Sequence, residues 1–101
     1  MNIPDLNRRV ILRVHAFKRM KQRDIAVEAV YHVLEHHVVI ENYPNRRPLP
    51  RRLLYGRHKL QVLHIVVEDD WAGNAIYVRS VYEPDPKLWK HGLRKRKRKP
   101  R

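Results

Sequence analysis

The sequence predicts an α+β domain with two N-terminal helices packed on a four-stranded, mainly antiparallel sheet and a basic disordered C-terminal tail, and three observations carry that expectation. Apolar residues recur every three or four positions as far as about residue 37, the spacing of a helix face. From Val38 onward, β-branched residues gather in short runs cut by Pro, Gly, Asn and Asp, as in strands and turns. The links between runs are short, and the order ααββββ suits one antiparallel sheet covered by helices.

Ile11, Val14, Phe17 and Met20 recur at three-residue spacing and predict a first helix ending near Arg23. Its start has two readings: Pro4 with Asp5 opens it, or residues 9–13 are extended and the helix begins near Val14. Asp24 is the N-cap candidate for a second helix over 25–37, in which Val27, Val30, Tyr31 and Leu34 share a face. Val38 to Tyr43 reads as the first strand, and Pro44 to Pro50 as a breaker-rich loop. Leu53 to Arg57 is the second strand and Gln61 to Glu68 the third. In the third, Val62, His64 and Val66 alternate with Leu63, Ile65 and Val67, so both faces are apolar and the strand is expected at the sheet centre. Asp69 to Asn74 reads as a turn and Ala75 to Tyr82 as the fourth strand, with Ile76, Val78, Ser80 and Tyr82 on one face and Tyr77, Arg79 and Val81 on the other. Pro84 and Pro86 stop pairing, and Lys87 to Lys90 forms a short turn docking Trp89. Residues 1–92 are thus read as one domain and 93–101 as a tail whose like charges keep it open.

The 101 residues carry 23 Lys plus Arg against 10 Asp plus Glu, a formal net charge of +13. A pI near 10.8 points to a polyanionic partner, foremost nucleic acid. No apolar run approaches the ~18 residues of a membrane span. Met1 to Asp5 lacks the layout of a signal peptide, so a cytoplasmic protein is expected. The absence of Cys removes disulfides, thiolate metal sites and Cys nucleophiles, and no phosphate-cradling Gly motif occurs.

His15, Arg19 and Arg23 are four apart, so on a helix they form one stripe of potential cations. One reading is a phosphate site with His15 moving protons; the other is a solvated helix face. His64 on the central strand is either a satisfied core histidine or an acid–base group at the sheet surface. Arg79 interrupts an apolar face, and Tyr55, Arg57 and His58 mix rings with cations, a composition that suits RNA. The loop and strand arginines Arg46, Arg47, Arg51 and Arg52, and Arg94, Lys95, Arg96, Lys97 and Arg98 of the tail, are further candidates to hold a nucleic-acid backbone. His32 to His36 spells H-x-x-E-H, but without a third ligand it reads as a solvated helix end. Glu68-Asp69-Asp70 reads as part of a hairpin turn, and neither a metal nor a cofactor is expected.

The string His15-Ala16-Phe17-Lys18-Arg19-Met20-Lys21-Gln22-Arg23-Asp24-Ile25 resembles the H-A-x-x-R-M-x-x-R-x-I signature of the bacterial family labelled domain of unknown function 4258. Pro48 to Leu53 with Gly56, then Leu63 to Val66, then Val81 to Pro86 with Trp89, match in the same order, so the resemblance covers roughly residues 12–89. That family is similar to the RelE-like toxins of the barnase, EndoU, colicin and RelE ribonuclease fold group. The resemblance implies two helices on an antiparallel sheet and metal-independent RNA cleavage. It implies His15, Arg19, Arg23 and His64 as the polar site, with Tyr82 and Arg79 as additions. Two departures bear on structure. Arg13 stands where members often have Ser, removing a helix cap and allowing an earlier start, and Asp24 stands where they often have Gly. The resulting expectation is a toxin-type endoribonuclease in which the 2′-OH attacks the adjacent phosphate, acting on RNA, ribosome-bound or free, with an acidic antitoxin as a second partner. The alternative is a nucleic-acid-binding module without catalysis.

Overall fold

The computed structural model describes residues 7–97. The elements are β1 (Arg9–Leu12), α1 (Val14–Gln22), α2 (Val27–His36), β2 (Val38–Tyr43), β3 (Arg51–His58), β4 (Gln61–Asp70) and β5 (Ala75–Tyr82). The sheet has five strands in the order β1-β5-β4-β3-β2. β1 runs parallel to β5, and the other pairs are antiparallel. The expected four strands thus become five, and the sheet is mixed. The extra strand is four residues long, Arg9 to Leu12, too short for alternation to announce it.

β4 lies at the centre of the sheet, as its two apolar faces predicted. Leu63, Ile65 and Val67 join Met20, Val30, Val33, Leu34, Leu54 and Val78 in one core beneath the helices. This burial, at about 25 cal/mol per Å² of apolar surface, drives the layering. α2 packs close on β3 at Gly56, where an added Cβ would lie 2.6 Å from Val33 Cγ1. The helix faces differ from the expected stripes. Ile11 belongs to β1, and Val14 and Phe17 are 70% and 38% exposed, while Ala16 and Met20 are buried. In α2 the buried set is Ala29, Val30, Val33 and Leu34, and Tyr31 faces outward.

α1 begins at Val14, the later of the two starts, although Arg13 provides no side-chain cap. Asp24 is not the N-cap of α2, because that position falls on Ala26. Asp24 instead adopts φ 55 in the turn between the helices, a left-handed conformation that Gly takes most easily and Asp tolerates.

Two segments expected to be loose are ordered, one as part of the sheet and one packed over it. β4 continues two residues past the expected end at Glu68, through Asp70, so Asp69 and Asp70 belong to the strand rather than the turn, and Glu68 and Asp69 are 1% and 2% exposed. Strand pairing persists because arginines on neighbouring elements neutralise both carboxylates. Asp69 receives Arg8 at 2.9 Å and Arg52 at 2.8 and 2.9 Å. The first part of the tail is also folded. Trp89 and Arg96 form an antiparallel bridge, the Lys97 N–H donates to the Leu88 carbonyl, and Arg96 makes two hydrogen bonds to Glu41. Like charge in residues 93–97 is offset by these contacts over the sheet face that the helices leave open. Arg98 and the residues after it lie outside the described part of the chain.

β5 carries one extra residue. Val66 pairs with Ser80 but Val67 with Val78, so Arg79 is bulged. The bulge reverses the alternation beyond it. Val81 enters the core with Ile76 and Val78, while Tyr82 pairs with His64 on the opposite face. Among the described residues no helix is long and apolar enough to cross a membrane.

Candidate nucleic-acid interface

β1 covers the edge of β5 only as far as Val78. Beyond that point α1 runs beside the free edge, pinned at both ends. The Arg13 N–H donates to the Val78 carbonyl, and Arg23 donates to the Val81 carbonyl at 2.7 Å. The space between helix and strand is a cleft of about 450 Å³ lined by Arg13, His15, Arg19, Arg23, Arg79 and Ser80. Four of the predicted site residues, His15, Arg19, Arg23 and Arg79, are therefore brought together.

Behind the cleft sits one carboxylate. Glu68 accepts from Arg13 at 3.1 and 3.3 Å, and Arg79 lies 3.6 Å from it. The Arg13 guanidinium also stacks over Tyr77, 4.8 Å from the ring centroid. Arg19 and His15 are exposed, and their side chains make no hydrogen bond or ion pair among the described residues. Arg13 and Arg79 share one buried carboxylate, which Arg51 also faces, Arg23 holds a backbone carbonyl and the Arg19 side chain holds neither, an arrangement that favours an anion in the cleft.

His64 does not line this cleft. It is fully buried on the other face of β4, with Trp89 edge-on at 4.4 Å, Tyr82 at 5.3 Å and Tyr55 at 6.1 Å. Its Nε2 lies 2.7 Å from the Leu93 carbonyl oxygen. Burial holds its pKa below the ordinary histidine value, although the Leu93 hydrogen bond opposes the shift. It is a satisfied interior imidazole in this arrangement.

Tyr82 lines a separate hollow of about 170 Å³ with Arg46, Arg51, Arg52 and Arg96. Burial raises the Tyr82 pKa above that of an ordinary phenol. Arg57 and Lys97 line a third depression beside Tyr55 and Trp89. Arg94 and Lys95 flank it, with Arg94 over the Tyr55 ring at 4.6 Å. Arg47 is exposed on the loop before β3 and lines none of these hollows. Apart from Arg47 and the undescribed Arg98, the cationic candidates therefore fall into a cleft, a hollow and a groove. Reasoning from sequence missed Arg13 and Glu68 as site components. Alternation along β4 places Glu68 on the face of His64 and Val66, and only Arg13 and Arg79 connect it to the cleft, so no local signal announced it.

The fold and the cleft define a small α+β protein with an arginine-rich cleft at a sheet edge. The chain belongs to the family described as Domain of unknown function (DUF4258), which it matches over residues 12–83. That span takes in α1, α2 and β2 to β5, and hence every cleft residue. No curated protein and no solved structure matches the chain.

Proposed function

We propose that the cleft between α1 and the free edge of β5 binds the phosphodiester backbone of RNA. The observation that carries this reading is Arg19, exposed and with its side chain unpaired among the described residues, beside Arg13, Arg23 and Arg79 over a single buried carboxylate. The net charge of +13 and the resemblance to RelE-like toxins support RNA as the polyanion. The same cations suit an acidic antitoxin-like protein.

His15 in the cleft favours a second reading, toxin-type cleavage. His15 would take the proton of the 2′-OH, the 2′ oxygen would bond to phosphorus and the P–O5′ bond would break. Solvent would protonate the leaving oxygen, giving a 2′,3′-cyclic phosphate and a free 5′-OH. Arg19 and Arg79 would stabilise the pentacoordinate phosphorane. The two-histidine version fails on position, because His64 is enclosed under Trp89.

Cleavage, filter binding and thermal melting on wild type, His15→Ala and Arg19→Ala test both readings. Arg19→Ala is expected to weaken binding with unchanged melting; unchanged binding overturns the assignment of the cleft. If the protein cleaves, His15→Ala lowers the rate roughly 10²–10⁴-fold, with little change in affinity, and EDTA leaves cleavage intact. Binding without any cleavage removes the second reading and keeps the first.

A further inference from the structure

We propose that the hollow beside Tyr82 is a ribose–phosphate subsite that selects RNA over DNA, with Arg46 and Arg51 taking the phosphate and the Tyr82 oxygen accepting a hydrogen bond from the ribose 2′-OH. This rests on the reading of the cleft as an RNA-backbone site and extends the strand's path beyond it.

The phosphate half follows from which guanidinium groups are already used. Arg52 is spent on both oxygens of Asp69, and Arg96 on both oxygens of Glu41. Arg51 is not saturated. Its NH2 lies 3.6 Å from Glu68, beyond hydrogen-bond distance, and its buried Nε has no partner. Arg46 has no ion pair among the described residues and only stands 5.7 Å from the Tyr43 ring. Two guanidinium forks therefore remain for an anion, and planar forks match phosphate oxygens.

Continuity follows from Glu68. Arg51 of the hollow shares this carboxylate with Arg13 and Arg79 of the cleft. Cleft and hollow thus adjoin across one side chain, and successive phosphates of one strand can occupy them.

The ribose half follows from the direction of one proton. The Leu93 carbonyl can only accept, so His64 Nε2 carries hydrogen. Nδ1 of the neutral ring is then bare, and it lies 3.3 Å from the Tyr82 hydroxyl. Leaving a buried nitrogen unpaired is costly, so Tyr82 donates its O–H to Nδ1. Tyr82 lines the hollow, and its oxygen keeps only lone pairs to offer. A lone pair beside a phosphate site recognises a donor, and the donor that RNA has and DNA lacks is the 2′-OH.

The test is binding of one labelled oligoribonucleotide, its DNA counterpart and its 2′-O-methyl counterpart to wild type, Tyr82→Phe, Arg46→Gln and Arg19→Gln, with melting as control. Wild type should prefer RNA over both analogues by about 3- to 10-fold, the worth of one hydrogen bond. Tyr82→Phe should lower RNA affinity to the DNA level and leave DNA affinity unchanged, which a general structural role would not do. Arg46→Gln, at an exposed position, should weaken all three and flatten the salt dependence by about 0.7 in log–log slope. An unchanged RNA preference in Tyr82→Phe, no preference in wild type, or no effect of Arg46→Gln overturns the subsite. If Arg19→Gln alone has no effect, the cleft reading fails while the hollow stands. A protein that binds none of the three takes both down.

Discussion

Glu68 and Asp69 show how two side chains can reorganise the reading of a whole strand. Each sits below 3% exposure, and between them they face five arginines, Arg13, Arg51 and Arg79 around Glu68 and Arg8 and Arg52 around Asp69. Removing the Asp69 carboxylate would leave the enclosed Arg8 and the half-buried Arg52 unpaired, which costs more than losing an exposed pair, whereas Arg13 and Arg79 beside Glu68 still reach solvent. His64 has the opposite problem, being a group that must remain neutral. Around it stand Tyr55, Tyr82, Trp89 and the Leu93 carbonyl, with Glu41 and Arg96 acting on its charge through space. Its folded pKa is lowered from 6.5, first by burial. The unfolded chain then binds the proton more readily, so the stabilising contribution is present above pH 6.5 and is lost as pH falls. Glu41, also held below its ordinary value of 4.5, adds its loss only at lower pH. For Glu41 burial pushes upward, and hydrogen bonds from Arg96 and Tyr43 outweigh it. Melting temperature should therefore fall between pH 7.5 and about 5 in wild type and fall less in His64→Gln. Parallel profiles for the two proteins would mean that His64 binds its proton equally well in the folded and unfolded chains, and that burial does not lower its pKa.

At the scale of elements, the C-terminal hairpin is the part whose role changes most. Gly92 and Leu93 turn the chain at φ 93 and 61, bringing residues 93–97 back across the open face of the sheet. The segment closes over His64, and its arginines border both the hollow and the groove. Truncation after Gly92 should then lower stability, because it leaves His64 Nε2 buried without an acceptor. The expected loss is about 1–3 kcal/mol, which for a domain of this size is roughly 5 °C or more in melting temperature. An unchanged melting curve would show that the hairpin only rests on the sheet. α1 behaves differently. It is anchored by Met20 in the core and by hydrogen bonds at its ends, which leaves His15 and Arg19 free for a ligand.

Over the whole molecule, an excess of 13 positive charges opposes compaction unless anions gather on the surface. Cleft and hollow concentrate that excess. A ligand that binds only the native state stabilises it by mass action. Inorganic phosphate should therefore raise the melting temperature by a few degrees more than chloride at equal ionic strength. Arg19→Gln should shrink that difference, which separates binding at the cleft from the general effect of phosphate on protein hydration. Equal shifts in wild type and Arg19→Gln would place the bound phosphate elsewhere.

Several features are legible in the sequence alone. The switch at Val38 from helical to strand spacing, the central position of β4 and the docking of Trp89 follow from local patterns, because hydrophobic period and breaker residues act within a few positions. The grouping of His15, Arg19 and Arg23 on one stripe is likewise a matter of helix geometry. Four decisions needed the tertiary fold. β1 is too short to show a period, and pairing with β5 makes it a strand. The bulge at Arg79 inverts the faces of Val81 and Tyr82, and one inserted residue leaves no mark on composition. Glu68 and Asp69 look like turn residues until arginines from distant positions neutralise them. His64 resembles a partner for His15 until alternation turns it to the far side of the sheet and Trp89 and Leu93 close over it. Local spacing determines which elements form, while charge pairing and burial between residues far apart in the chain decide which side chains share a site.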